Sequence, residues 1–299
     1  MTDELGHIPV MSREVLEMLR LGPGMTVVDG TLGLGGHSLL MSDMIGRSGR
    51  LIGIDQDDRA IGMATDRLKG FSGRLDIVKN NFRNIEAVLE GLGVKTVDAV
   101  LLDLGVSSIQ LDDPLRGFSF RRDGPLDMRM DTGAEVSAFD IVNTFSEEEL
   151  ARILWQYGEE RFSRRIARNI VKARAASPIE TTTALAGIVM RSLPYKQSRD
   201  GAHPATRSFQ GIRIAVNQEL VVLESVLGVA LGRLSQKGRM CVISFHSLED
   251  RIVKERFRSF AQSGSAAVLT KKPLRPSPQE EEANPRSRSA RLRALERVL

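Results

Sequence analysis

The sequence predicts an α/β fold with a mostly parallel, doubly wound sheet and an inserted all-helical domain. In the first third of the chain, β-branched runs alternate with segments of helical spacing. Such repeated βα units imply a parallel sheet with helices on both faces. After Asp103 the alternation stops, and a strand pattern returns only near residue 239. We therefore expect a core over residues 1–109, a helical insertion over 110–212, and the rest of the core over 213–299.

Local patterns place the individual elements. Strands are expected near residues 25–30, 50–55, 75–79 and 97–103, and helices near 36–46, 57–69 and 83–92. In the insertion, Ser146 and Glu149 form a capping box before a helix, and another helix opens near Thr181. A long helical pattern then covers about 206–235, and a strand over 239–245 returns to the sheet.

Two segments have less regular patterns. Residues 105–133 are rich in Gly, Asp, Pro and Ser, and they are far longer than an ordinary connection, so we expect either disorder or a functional loop. The tail over 271–299 is Pro-rich and then basic, with Arg288, Arg291 and Arg293 alternating with small or apolar residues. This alternation predicts a final edge strand.

Composition narrows the class of protein. The 299 residues are 41% hydrophobic and 27% charged, as in globular proteins. No run approaches the roughly 18 apolar residues of a membrane span, and the N-terminus has no signal-peptide pattern, so we expect a cytoplasmic protein without a membrane partner. The single cysteine, Cys241, excludes an internal disulfide, and the four histidines show no metal-ligand spacing, so no metal is expected.

The net charge is +4, and the charges are distributed unevenly along the chain. Residues 1–113 hold 11 Lys and Arg against 17 Asp and Glu, whereas residues 161–213 hold 11 against 2. Six basic residues fall within one helical stretch without an acid, namely Arg161, Arg164, Arg165, Arg168, Lys172 and Arg174. Like charges at helical spacing cost helix stability, and bound phosphates would offset that cost. We interpret the stretch as a polyanion-binding surface; a solvated helix is the alternative.

The glycine-rich turn after the first predicted strand is the most informative stretch. Four glycines lie within the seven positions after Asp29, and an apolar helical pattern follows. Such a turn lets the backbone approach a nucleotide-like ligand, because no Cβ stands in the way. Gly33 and Gly35 fit the dinucleotide fingerprint, but its third glycine is replaced by Ser38. A phosphate-binding loop is a poor fit as well, because no Lys followed by Ser or Thr comes after the glycines.

The acids near this turn favour a ribonucleoside cofactor without phosphates. Asp29 precedes Gly33 by four residues, which resembles the first motif of S-adenosylmethionine-dependent methyltransferases, although Thr31 replaces that motif's usual first glycine. Asp29 would accept hydrogen bonds from a methionine ammonium and would repel a pyrophosphate. Asp55 ends the next strand 19 residues after Gly36, where doubly wound folds bind ribose hydroxyls. A structural turn without a ligand is the alternative.

Three further side chains follow the third and fourth strands. Phe82 is placed to stack on a purine, although a core position explains it nearly as well. Asp103 ends the fourth strand, where cofactor and substrate must meet, with a helix or turn cap as the alternative. Gln110 would reach either the cofactor or the substrate, and the sequence does not decide between them.

Residues 244–251 follow the strand that returns to the sheet. Ser247 with Asp250 is typical of a helix capping box, and we assign the pair that role. Phe245 and His246 are equally well explained as substrate contacts or as structural residues.

Several motifs together indicate a family. They are HIPV (7–10), DGTLGLGGH (29–37), DLGVSS (103–108), RGFSF (116–120) with the stretch to Asp131, HPATR (203–207) with the stretch to Leu220, SFHSLEDR (244–251) and NPRSRS (284–289). Over nearly the whole chain they resemble the bacterial small-subunit ribosomal RNA cytosine-N4 methyltransferases. The resemblance implies a class I, Rossmann-like methyltransferase fold, S-adenosyl-L-methionine as cofactor, and the N4 amine of a decoding-centre cytosine of 16S rRNA as substrate. A homodimer is left open.

The resemblance also implies site residues. By matching position, the family's cofactor residues fall on Gly35, Gly36, His37, Asp55, Phe82, Asp103 and Gln110. Asp29 and Gly33 complete the cofactor site that we predict. The predicted RNA contacts are Arg164, Arg165, Arg168, Lys172 and Arg207. For catalysis we expect Asp103, or a backbone carbonyl beside it, to accept an amino hydrogen, and His246 is the second candidate.

One motif departs from other amino-methyltransferases. These enzymes usually have Asp, Asn or Ser followed by Pro-Pro and an aromatic residue, whereas Asp103 is followed by Leu104 and Gly105. The usual aromatic clamp on the target base is therefore not expected. Two other functions fit parts of the sequence: an NAD-dependent oxidoreductase, and a ribosome assembly factor that keeps the fold only to bind RNA.

Overall fold

The computed structural model describes residues 9–194 and 203–298. The chain divides into two compact units. The core unit comprises Met1–Gly105 and Leu220–Leu299, and the helical unit comprises Val106–Glu219.

The core unit is built on a seven-stranded sheet. Its strands are β1 (Thr26–Asp29), β2 (Arg50–Asp55), β3 (Arg74–Lys79), β4 (Val97–Asp103), β5 (Leu234–Ser244), β6 (Ala266–Val268) and β7 (Arg291–Arg297). Their order is β3-β2-β1-β4-β5-β7-β6; β1 to β5 pair in parallel, and β7 is antiparallel to both neighbours. This confirms the predicted mostly parallel sheet. The strand order reverses at β1, and open α/β sheets bind ligands beyond the strand ends at such a point.

Helices alternate with the first strands and then follow one another through the middle of the chain. They are α1 (Ser12–Leu19), α2 (Gly36–Ile45), α3 (Asp58–Arg67), α4 (Ile85–Gly91), α5 (Ser108–Asp112), α6 (Ala138–Thr144), α7 (Glu147–Gln156), α8 (Ser163–Arg174), α9 (Thr182–Ser192), α10 (Thr206–Asn217), α11 (Glu219–Arg233), α12 (Ser247–Gln262) and α13 (Pro278–Ala283). The predicted capping box of Ser146 with Glu149 is present, and Thr181 caps α9 as expected.

Both faces of the central sheet are covered, so β1, β2 and β4 are apolar on both sides. Val28 of β1 belongs to the cluster that α4, α11 and α12 cover, and Val27 belongs to the cluster that α1, α2 and α3 cover. Neighbouring residues of a strand point to opposite faces. Continuous burial on both faces explains why these strands were readily predicted from unbroken apolar runs.

The helical unit has its own core. Apolar residues of α6 to α10 form one buried cluster, which includes Leu150, Ile166, Phe209 and Ile212. Each helix contributes one face to this cluster. On α8, for example, Ile166 and Ile170 are buried while Arg164, Arg165 and Arg168 are exposed.

Residues 105–133 form an ordered loop around α5. The Thr182 N–H donates to the Gly124 carbonyl at 2.9 Å, and the Met128 N–H donates to the Arg116 carbonyl at 3.0 Å. The backbone approaches itself closely at Gly124, where a Cβ would overlap the Pro114 carbonyl oxygen. Of the two outcomes that the sequence left open for this segment, the structure excludes disorder.

The predicted long helix over about 206–235 was wrong. Two helices, α10 and α11, replace it, because Gln218 adopts a left-handed φ of 52° between them. The side chain of Asn217 holds the end of α10: its Nδ2 donates to the Met128 carbonyl and its Oδ1 accepts the Met130 N–H, both at 2.8 Å. The break thus depends on a partner that is distant in sequence.

The tail forms the predicted strand, β7, but its predicted edge position was wrong. β7 lies between β5 and β6, and its residues Leu292, Ala294 and Leu295 are fully buried. The edge strand on this side of the sheet is β6, which is only three residues long. So short a segment has no alternating pattern that a sequence could reveal.

No single helix of the described residues has both the length and the apolar composition to cross a membrane. The consecutive helices α10 and α11 meet that threshold only when they are taken together across their break.

We expect Gly124→Ala to lower the free energy of unfolding by at least about 2 kcal/mol, because the added methyl overlaps a backbone atom that cannot move without displacing the loop. The control is Gly133→Ala in the same loop, where the added Cβ would meet only the Asp131 side chain, at 3.3 Å. Chemical denaturation measures both. Equal stability of the two variants would contradict the role assigned to Gly124.

Candidate active site

Acids end three adjacent parallel strands of the core unit. Asp29 ends β1, Asp55 ends β2 and Asp103 ends β4. β1 pairs with both β2 and β4, so the three carboxyl groups lie along one edge of the sheet. The glycine turn between β1 and α2 lies at the same edge.

Asp29 is hydrogen-bonded to residues of the glycine turn and of α2. It is 1% exposed, its Oδ2 accepts the Ser38 hydroxyl at 2.7 Å, and its Oδ1 accepts the Thr31 N–H at 3.2 Å. Burial raises the pKa of Asp29, and the Ser38 hydrogen bond opposes that rise. Because Asp29 is almost completely buried, whereas Asp55 is only half-buried, the geometry favours a structural role over the ammonium contact expected for Asp29.

Thr31 links this carboxylate to the fourth strand. Its hydroxyl accepts the backbone N–H of Asp103 at 2.6 Å and lies 3.5 Å from Asp29 Oδ1. A glycine at this position would have no side chain to make that bond. Sequence reasoning noticed Thr31 only as a departure from a motif and missed its contribution, and it likewise treated Ser38 only as a missing glycine.

Asp55 is fixed by backbone donors. Its Oδ2 accepts the Gly33 N–H at 2.8 Å, and its Oδ1 accepts the Asp57 N–H at 2.9 Å. Burial raises the pKa of Asp55, and these N–H groups oppose the rise. The Gln56 N–H also bonds this carboxylate, so the backbone uses three of its roughly four acceptor sites and leaves acceptor capacity for a ligand hydroxyl.

Gly33 and Gly35 take backbone conformations that suit glycine. Their φ angles are +50° and +73°, and a Cβ at Gly35 would lie only 3.2 Å from the Ala64 Cβ. Gly36 begins α2, close to Pro9. The turn therefore depends on glycine both for its backbone conformation and for its packing on α3.

Asp103 and His37 form a close pair in which His37 is buried and Asp103 is half-buried. His37 Nε2 lies 3.6 Å from Asp103 Oδ2, which is within ion-pair range but too long for a hydrogen bond. Asp103 Oδ1 and His37 Nε2 are both buried, and neither has a hydrogen-bond partner in the described part of the chain. Burial lowers the pKa of His37, but the carboxylates of Asp103 and Asp29 outweigh it, so the pKa is raised above its ordinary 6.5.

Phe82 follows β3 and starts a short 3₁₀ turn over Phe82–Asn84. It is half-buried and packs on the core cluster, and a Cβ at Gly30 would lie 3.4 Å from the Phe82 Cβ. The ring therefore has a core contact and an accessible part, so both interpretations of Phe82 remain compatible with the geometry.

Gln110 belongs to the helical unit. It lies in α5, where its Oε1 accepts the Ser107 N–H at 3.1 Å and the Ser107 hydroxyl accepts the Gln110 N–H at 3.3 Å. The residue is 5% exposed. Its side-chain oxygen thus completes a capping box at the start of α5.

The predicted capping box of Ser247 with Asp250 was wrong by one residue. His246 caps α12: its Nδ1 accepts the Glu249 N–H at 3.4 Å, while Glu249 Oε2 accepts the N–H groups of Phe245 and His246. Asp250 instead accepts a 2.7 Å hydrogen bond from the buried Arg293 of β7. His246 Nε2 is buried, without a hydrogen-bond partner among the described residues.

The predicted basic helix is α8. Two of its basic residues, Arg168 and Arg174, have partners within the protein. Arg164, Arg165 and Lys172 are exposed. Arg168 is also exposed, but its Nε lies 3.6 Å from Glu147 Oε1. Arg174 is half-buried, and its guanidinium donates to backbone carbonyls, including that of Val142 at 2.7 Å, which is a structural role. Arg207, at the start of α10, is exposed.

Comparison with known proteins places the chain in a family. Residues 4–298 match the model of the MraW methylase family. The chain is 47% identical to the ribosomal RNA small subunit methyltransferase H of Brevibacillus brevis and 48% identical to that of Geotalea uraniireducens, with 98% of this chain and 98% of each relative covered. It is 46% identical to that of Lachnospira eligens, over 99% of this chain and 98% of the relative.

These matches span both units of the chain, and the strand order is that of a class I, Rossmann-like sheet. The chain therefore belongs to the MraW methylase family and is a methyltransferase that uses S-adenosylmethionine.

Proposed function

We propose that this methyltransferase transfers a methyl group to the exocyclic N4 amine of a decoding-centre cytosine in 16S rRNA of the small ribosomal subunit. The names of its full-length relatives support ribosomal RNA as substrate, and the motif resemblance supports the base and the atom. The observation that carries the chemistry is Asp103, which offers an unpartnered buried oxygen at the edge where the glycine turn lies. The homodimer and the cytoplasmic location stay predictions.

The residues at this edge fit the cofactor. The remaining acceptor capacity of Asp55 suits the ribose hydroxyls, and the accessible part of Phe82 suits an adenine face. The backbone of Gly33, Gly35 and Gly36 allows close approach of the rest of the molecule. When bound, the cofactor supplies an electrophilic methyl group. Gln110 is proposed as a further contact on the motif resemblance alone.

Asp103 would activate the nucleophile. The amino nitrogen of cytosine is weakly nucleophilic because its lone pair is delocalised into the ring. Asp103 Oδ1 would accept one amino hydrogen, which localises the lone pair and aims it at the methyl group, and the proton would then pass to the carboxylate. The Thr31 hydroxyl fixes the backbone of Asp103 and His37 lies beside its other oxygen, so the acceptor is held before the substrate arrives.

The helical unit would bind the RNA. The target base must leave its stack to reach the half-buried carboxylate of Asp103. Phosphates would pair with Arg164, Arg165 and Lys172 of α8, with Arg168 once it leaves Glu147, and with Arg207. His246 is the weaker candidate for chemistry, because its Nδ1 already caps α12.

Asp103→Asn should slow single-turnover methylation of small subunits by about 10²–10³ at saturating cofactor, because the amide is a poorer acceptor of the amino hydrogen. Asp58→Asn, an exposed acid of α3, is the matched control. The single-turnover rate is followed with radiolabelled cofactor. A near wild-type rate for Asp103→Asn would remove Asp103 from the chemistry.

The raised pKa of His37 makes part of the stability pH-dependent. A raised folded-state pKa means that this contribution is complete below the unfolded value of 6.5 and is lost as pH rises through the folded-state value. The stability advantage of the wild type over His37→Gln should therefore be complete below pH 6.5 and shrink as pH rises above that value. Chemical denaturation below and above that pH measures it, and a constant difference would refute the coupling of His37 to the carboxylates.

Arg164→Ala combined with Arg165→Ala should weaken RNA binding and make the slope of log K against log salt shallower by about 1.5, since two phosphate contacts are lost. Arg13→Ala combined with Lys69→Ala removes the same charge from exposed sites of the core unit. Fluorescence anisotropy of labelled RNA measures both. If the two double variants shift the slope equally, α8 contributes only net charge.

A further inference from the structure

Trp155 is an exposed aromatic side chain that has no role in the site described above. It is the only tryptophan of the chain and is 59% exposed on α7. The buried face of α7 consists of Leu150, Ile153 and Leu154, so Trp155 points away from the core of the helical unit. A large exposed ring forgoes the burial that usually stabilises tryptophan, and such rings are typical of binding surfaces.

Trp155 lies near the end of α7, at the opposite end from the acids of the helix itself; Glu159, which is exposed, and the buried Glu160 follow in the connection to α8. The acids of this helix, Glu147, Glu148 and Glu149, are all in its first turn. At 1.5 Å rise per residue, Trp155 is roughly 10 Å further along the axis. The exposed residue one turn before it is Arg152.

The neighbouring helix adds further positive charge. Six residues connect α7 to α8, and the two helices pack together, as in an antiparallel helical hairpin. The start of α7 lies against the middle of α8, because Glu147 contacts Arg168. The end of α7 with Trp155 therefore runs beside the start of α8, where Arg161 and Arg164 are exposed.

We propose that Trp155 is a stacking platform for an unpaired base of the substrate RNA, and that Arg161 and Arg164 bind phosphates of the same strand. An aromatic ring flanked by cations matches a single-stranded nucleic acid, because each base offers a π-face and each nucleotide a negative charge. A basic partner protein would need an acidic surface, whereas the exposed residues around Trp155 carry more positive than negative charge: Arg152, Arg161, Arg164 and Arg165 against Glu159. The inference rests on the proposed function and specifies the RNA segment as unpaired.

Trp155 reports on its own environment, since no other tryptophan fluoresces in this chain. Titration of the full-length protein with a short single-stranded oligoadenylate should quench its emission in a saturable way. Heparin, which carries negative charge but no bases, should bind without comparable quenching. Quenching that is equal with heparin, or absent when anisotropy shows bound oligoadenylate, would overturn the stacking role.

Variants separate stacking from charge. W155A should weaken oligoadenylate binding by about tenfold, and W155F should recover part of the loss because it keeps a ring. M190A is the control, since Met190 is a second exposed apolar residue of the helical unit, at 50% exposure. Equal effects of W155A and M190A would overturn the proposal, and so would a W155A variant that binds RNA normally but changes oligomeric state in sedimentation.

Failure of this inference is distinguishable from failure of the proposed function. If the wild type methylates small subunits and W155A does so with unchanged KM, the stacking role alone is wrong. If the wild type transfers no methyl group to small subunits, the proposed substrate is wrong, whatever the fluorescence shows.

Discussion

A single buried carboxylate organises the candidate active site. Asp29 accepts hydrogen bonds from Thr31 and Ser38, and Thr31 in turn accepts the backbone N–H of Asp103. The chain of bonds joins β1, the glycine turn, the start of α2 and the end of β4. Burying an acid is costly unless its acceptors are satisfied, and satisfying them is what fixes the turn. Loss of the Ser38 hydroxyl would cost about 1–3 kcal/mol, and loss of the Thr31 hydroxyl would also remove the acceptor of the Asp103 N–H.

The two units differ in the charge that they carry. Three acids face one edge of the core sheet, and His37 is the basic side chain that lies beside Asp103 there. Such an edge attracts a sulfonium cation and repels a pyrophosphate, which agrees with a cofactor that lacks phosphates. The helical unit carries the opposite charge on α8, where exposed arginines suit a polyanionic substrate.

The sequence predicted those features that depend on local pattern. Apolar runs predicted β1, β2 and β4, because both faces of the central sheet are buried. The strand-end acids and the glycine turn indicated the candidate site. Features set by distant partners were missed. Asp250, which was predicted to cap α12, accepts a hydrogen bond from Arg293. The capping box is formed by His246 and Glu249 instead. Asn217 fixes the break after α10 by bonds to Met128 and Met130. The structural role of Thr31 could not be predicted, because its hydrogen bond with Asp103 joins residues that are distant in sequence.

A crystal structure of the protein with bound S-adenosylmethionine tests the central claim most directly. The account predicts that both ribose hydroxyls lie within hydrogen-bond distance of Asp55, that the adenine lies on Phe82, and that Asp29 stays buried on Thr31 and Ser38 without touching the ligand. A ribose remote from Asp55, or an ammonium group bonded to Asp29 with the turn rearranged, would contradict it.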